Sequence, residues 1–172
     1  SPPTKTQPRG LFPALFRAYG PQTVMPTASS EKLFVSRRGR RTIDNEAEIM
    51  DMLRDRGFER VYLEDLSPAR QWRAFQQARQ IVAVHGAGLA WLTACCAQEG
   101  TGRRRVTELS PPGYVTHMYR ELAHVAGLEW VGVRGDLDST TIRAFERGRS
   151  PAALRERSVR IDPDSLNQAL AH

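Results

Sequence analysis

The sequence predicts an α/β domain: an open, Rossmann-like parallel sheet with helices on both faces. Three observations carry that class. Short apolar runs of β-forming residues alternate with stretches of helical periodicity along the chain. None of the runs contains proline, which suits central strands. One run reads straight into a two-glycine turn, His85-Gly86-Ala87-Gly88, at the carboxyl end of a strand, where ligands of such sheets sit.

The elements follow in order. Residues 1–30 read as a linker or N-terminal extension: a Pro, Thr and Gln-rich tail to Arg9, a short helix from Leu11 to Tyr19, then loop. Residues 31–172 read as the domain. Lys32–Ser36 is a buried strand, followed by a basic loop from Arg37 to Arg41. Asn45 is placed to cap a helix, with Glu48 as its reciprocal partner. Ala47, Met50 and Leu53 repeat at helical spacing, and Gly57 ends the helix. Arg60–Leu63 is the second strand. Ser67 and Pro68 start a helix carrying Trp72, Phe75 and Arg79. Gln80–Val84 is the third strand, expected at the centre of the sheet. After the turn, Leu89 to Cys96 is apolar and expected to be helical, and 98–104 is a polar loop. Val106–Leu109 is the fourth strand. Thr116 can cap a helix holding Met118, Leu122 and Val125, ended by Gly127. Leu128–Val133 is the fifth strand, Ser158–Ile161 a last strand, and Pro163–Leu170 a last helix started by Asp162.

Bulk properties bound the partners. At 172 residues, 40% hydrophobic and 26% charged, the chain has the size and make-up of one soluble domain with its own core. No apolar run reaches the roughly 18 residues of a membrane span, and residues 1–9 lack the apolar core of a signal peptide. The net charge of +6 favours anionic partners. The basic residues are nearly all arginine, with Lys5 and Lys32 the two lysines. The two cysteines are adjacent, Cys95-Cys96, so neither a disulfide framework nor a zinc spacing exists.

The chemistry gathers at strand ends. Gly86, Ala87 and Gly88 let the backbone bend tightly and approach a ligand. The helix expected after them offers free N–H groups and a positive dipole end, a site for a diphosphate. His85 stands at the strand end and can donate to phosphate or sugar. The alternative is a packed histidine in a plain tight turn. Arg37 opens on the same edge and can grip phosphate through its fork; the other arginines of that loop are expected at the surface. Asn45 and Glu46 begin a helix at the same edge, where capping alone accounts for Asn45. Glu108, near the end of the fourth strand, can accept the hydroxyls of a ribose. Gln71 is expected on a helix surface and Trp72 in the core, while His117 and His124 are ordinary helical residues.

The segments LFVSRRG, RRTIDNEAEI, LRDRGF, IVAVHGAGLAWL and VTEL, in this order, resemble glycosyltransferase family 61 from about Lys32 to Val133. That resemblance implies one half of a GT-B architecture, with the donor held mainly by this half, inversion at the anomeric carbon and no obligatory metal. It implies that Arg37 matches the strand-end SR motif, Asn45 and Glu46 the NE pair, His85, Gly86, Ala87, Gly88 and Leu89 the HGAGL turn, and Glu108 the strand-end acid. His85 and Glu46 then become the catalytic candidates, and the rest hold the donor. Trp91 departs from the asparagine common in the family and alters the pocket floor. The chain is too short for both halves, so an N-terminal acceptor-side domain is expected elsewhere.

These readings converge on transfer of a sugar from a nucleoside diphosphate sugar, UDP-linked, to a glycan or polysaccharide hydroxyl, with no cofactor beyond the donor. The rival from another class is a non-catalytic nucleotide- or polyanion-binding module. A dehydrogenase would want G-x-G-x-x-G after the first strand, where Ser36-Arg37-Arg38-Gly39 stands. Nucleic-acid binding would want aromatics interleaved with the arginines. The lack of an Asn-x-Ser/Thr sequon favours a bacterial cytoplasm over a Golgi lumen reached through an upstream anchor.

Overall fold

The computed structural model describes residues 30–97, 102–113, 116–148 and 157–171. The helix expected at Leu11–Tyr19 lies outside the described residues. Five parallel strands form one sheet: β1 (Lys32–Ser36), β2 (Glu59–Tyr62), β3 (Gln80–Val84), β4 (Arg105–Ser110) and β5 (Glu129–Arg134). Their order is β2-β1-β3-β4-β5, with β3 in the middle as expected. Four of its five residues, Ile81 to Val84, are buried, as a strand covered on both faces requires.

Side chains alternate between two cores. Leu33, Val35, Ile81, Ala83 and Val106 face one way. There they meet α2 (Pro68–Gln77), a 3-10 segment (Ala87–Ala97) and α3 (Met118–Val125). Phe34, Val82, Val84, Leu109 and Val133 face the other way, against α1 (Glu46–Arg54) and α5 (Pro163–Ala171). A further helix, α4 (Ser139–Glu146), starts at an Asp138 cap. Phe34 and Phe75 are fully buried, one in each core; truncating either to alanine costs about 3–5 kcal/mol.

Two local expectations are corrected, and two further segments take a more specific form than expected. Asn45 precedes α1 but makes no side-chain cap. Its amide instead binds Ile161 from both sides, accepting from the Ile161 N–H at 3.0 Å and donating to its carbonyl at 2.8 Å. The second amide hydrogen goes to Glu48 Oε2 at 2.9 Å. Ser158–Ile161 is not a sheet strand. It makes a single bridge, Ile43 to Val159, and Arg160 accepts from the Asp136 N–H at 2.8 Å. The segment straddles the loops after β1 and β5 because Val159 and Ile161 are drawn into the second core.

The apolar run after the turn is helical as expected, and the helix is of the 3-10 kind. Its first bond, Leu89 N–H to the Gly86 carbonyl at 2.9 Å, is already the tighter i to i−3 kind. Leu89, Leu92, Ala94 and Cys95 are all buried, so the segment has no polar face to satisfy. Arg104, expected in a polar loop, donates to the carbonyls of Phe75, Gln76, Ala78 and Cys95. It thereby closes the C-terminal end of α2, where orphan carbonyls collect.

Candidate functional site

All five strands run the same way, so their carboxyl ends share one edge. The order reverses between β1 and β3, since the chain leaves β1 toward β2 and β3 toward β4. That is the switch point at which open α/β sheets hold ligands. A cleft of about 320 Å³ opens there, lined by Ser36, Arg37, Leu63, Glu64, Ala87 and Trp91 among others. Ser36 is 2% exposed, and its hydroxyl has no hydrogen-bond partner among the described residues. Gln71, expected on a helix surface, donates to the carbonyls of Leu63 and Leu66 at 2.8 and 2.9 Å and holds the cleft's outer wall in place. Trp91 packs edge-on against Trp72, ring centres 6.0 Å apart.

The turn forms one wall. Arg37 Nη1 donates to the His85 carbonyl at 3.2 Å, which lays the guanidinium over Gly86. A Cβ on Gly86 would overlap Arg37 Nη1 and lie 2.9 Å from its Cζ. The backbone there has φ +156°. At Gly88 a Cβ would come within 2.7 Å of Leu63 Cδ1. A side chain at Gly86 would displace the Arg37 guanidinium, and one at Gly88 would push the Leu63 side chain aside. Ala87 is exposed on the cleft, whereas Leu89 is buried in the first core, so it is the Leu89 backbone alone that belongs to the turn.

His85 sits beneath this wall. Its N–H donates to the Leu109 carbonyl at 2.8 Å. Its Nδ1 is 2.5 Å from Glu108 Oε1, and both side chains are almost fully buried. The other oxygen of Glu108 accepts from Trp130 Nε1 at 2.9 Å. Glu108, expected to accept ribose hydroxyls, thus has both oxygens engaged inside the protein. Gly132 pairs with Glu108 across β4 and β5, and a Cβ there would come within 2.6 Å of the Trp130 ring. Its bareness gives the indole room to reach the carboxylate. The Tyr119 ring closes the other side of His85 at 5.3 Å.

The NE pair is divided. Asn45 is committed to Ile161 and Glu48. Glu46 accepts from the Tyr62 hydroxyl at 3.1 Å and from Arg60 at 3.3 Å. Both contacts tie it to β2 rather than to the turn. Arg38 points out, as expected of a surface residue, and pairs with Asp65. That hydrogen bond holds the Asp65 carboxyl below its ordinary 3.8. Arg41 was expected at the surface too. It turns inward, its Nη1 within 3.4 Å of the point a Gly86 Cβ would occupy. Nothing in a loop with four arginines among five residues marks which of them turn in, and Ser36 resembles any strand-end serine.

The fold and this cleft define a Rossmann-like α/β domain with an arginine-backed glycine turn at its switch point. The glycosyltransferase 61 family model matches residues 2–102, which takes in β1, β2, β3 and the turn. The chain belongs to that glycosyltransferase family. No curated protein matches the chain. Among the described residues no helix is long and apolar enough to cross a membrane.

Proposed function

We propose that this domain holds the donor of an inverting, metal-independent glycosyltransferase, a UDP-linked sugar whose acceptor is a glycan hydroxyl. The observation that carries the reading is Arg37 stacked on Gly86 at the switch point, beside a cleft of ligand size. Inversion requires a deprotonating acceptor on one side and a stabilised diphosphate leaving group on the other. Arg37 supplies positive charge and the Ala87–Gly88 backbone, which lines the cleft, supplies close approach. His85, oriented by Glu108, is the catalytic candidate of the turn, held in a buried position beneath it. Glu46 remains the second catalytic candidate; its position beside Tyr62 favours ordering the β2 edge. The acceptor-side domain and its base would come from elsewhere, so these residues alone bind donor without efficient transfer. The absence of a sequon supports a bacterial cytoplasmic setting.

Calorimetry with uridine, guanosine and adenosine diphosphates, each with chelator present, tests this. Micromolar binding of the uridine nucleotide without Mg²⁺ is expected. Absence of binding to all three would favour a non-catalytic module, and preference for NAD a dehydrogenase.

A further inference from the structure

We infer that Arg41 is the second jaw of a two-guanidinium clamp, closing with Arg37 on the diphosphate of the donor. The inference rests on the donor-site reading above and adds a residue and a division of labour to it.

Two independent observations carry it. The first is convergence. The position a Gly86 Cβ would take lies against Arg37 Nη1 and Cζ and within 3.4 Å of Arg41 Nη1. Two guanidinium groups from one short loop therefore meet over a single backbone glycine. The intervening arginines do the opposite: Arg38 and Arg40 are exposed. The second is backbone conformation. Arg41 has φ +59°, the only positive value at a non-glycine among the described residues. A bulky side chain is disfavoured there, and such residues gather at ligand clamps. The left-handed turn is what brings the Arg41 side chain back over Gly86, with its Nε buried.

The chemistry selects the ligand. Neighbouring guanidinium groups repel one another, and a multivalent anion between them converts repulsion into attraction. Each fork matches two oxygens of one phosphoryl group. Two forks match two phosphoryl groups, hence a diphosphate in preference to a monophosphate or a carboxylate.

The test uses the 172-residue chain with UDP, UMP and inorganic pyrophosphate as probes, read by calorimetry, alongside thermal melts. Arg41→Gly relaxes the backbone and removes the jaw. It should weaken UDP and pyrophosphate at least tenfold and UMP less than threefold, with no loss of Tm. Arg41→Lys keeps the charge without the fork and should fall between. If the parent chain binds UDP and Arg41→Gly binds it equally well, the clamp is wrong while the donor site stands. Equal losses for UDP and UMP with a lower Tm would make Arg41 a loop-shaping residue and overturn the clamp. A parent chain that binds none of the three probes overturns the donor-site reading and the clamp together.

Discussion

His85 Nδ1 lies 2.5 Å from Glu108 Oε1, and both side chains are shut away from solvent on the face of the sheet that carries α3. Their strands are neighbours, with Ala83 opposite Glu108 and Val84 opposite Leu109. The contact thus joins the turn to the fourth strand. The same carboxylate holds Trp130. Glu108→Ala would leave the buried His85 ring and the half-buried Trp130 Nε1 without their partner. It should destabilise the fold by about 3 kcal/mol, the usual cost of breaking a buried charged contact. Glu108→Gln keeps an oxygen for one of the two donors and should cost roughly half of that. Urea denaturation of the three proteins decides. Near-equal stability of Glu108→Ala and the parent would show the pair to be dispensable for folding.

How much of this was legible in the sequence depends on the range of each interaction. The strands and helices follow from local periodicity, and β3 with its turn was readable to the residue. The 3-10 character of Ala87–Ala97 was not, because a segment apolar all round carries no period to distinguish helix types. The partner of Asn45 lies 116 residues away, so local capping rules pointed it at its own helix. Glu108 was found as a strand-end acid, but its direction depends on the Gly132 gap in the neighbouring strand. Arg37 and Arg41 differ from Arg38 and Arg40 by backbone path alone.

Asn45 offers a separation of structure from ligand binding. Asn45→Ala strips both the N–H and the carbonyl of Ile161 of their buried partner. A loss of about 2–3 kcal/mol is expected. Amide exchange should rise first at Ile161 and along α5, since the Asn45 amide ties that segment to the start of α1. Exchange that rises only around the turn would instead place Asn45 in the donor site, as the family motif implies.

Acid stability should depend on two helix caps. The Ser165 hydroxyl and N–H bind Asp162 at 2.7 and 3.0 Å, and Thr141 binds Asp138 through its side chain and, at 2.6 Å, through its N–H. These hydrogen bonds hold both carboxyls below the ordinary 3.8. A carboxyl whose folded value is depressed contributes its stabilisation fully above the unfolded value. That contribution fades as pH falls below 3.8 and through the lower folded value. Asp162→Ala and Asp138→Ala should therefore be less stable than the parent at neutral pH, and the gap should close in acid. A gap that stays constant from pH 7 to pH 2.5 would rule out the ionised caps as its source.

The turn itself gives the sharpest ordering. Gly86→Val forces a branched side chain into the place of the Arg37 guanidinium, so diphosphate binding should be abolished. Most of the fold should survive, because the clash is with a long side chain at the edge of the sheet and not with the cores. Arg37→Ala removes a charge-assisted contact and should weaken UDP binding by about 2–3 kcal/mol. His85→Ala should weaken it by a smaller amount, about 1–2 kcal/mol, since one hydrogen bond is lost. Much of its effect should fall on stability, because the Glu108 carboxylate loses a buried partner. Arg40→Ala, at an exposed position, should shift binding only through salt-dependent background. Calorimetry at two salt concentrations reads the order Gly86→Val, Arg37→Ala, His85→Ala, Arg40→Ala from worst to mildest. Should Arg40→Ala exceed Arg37→Ala at low salt and vanish at high salt, the loop acts as a diffuse polyanion patch. Unchanged binding in Gly86→Val would mean the turn touches no ligand, and the donor reading would lose its physical support.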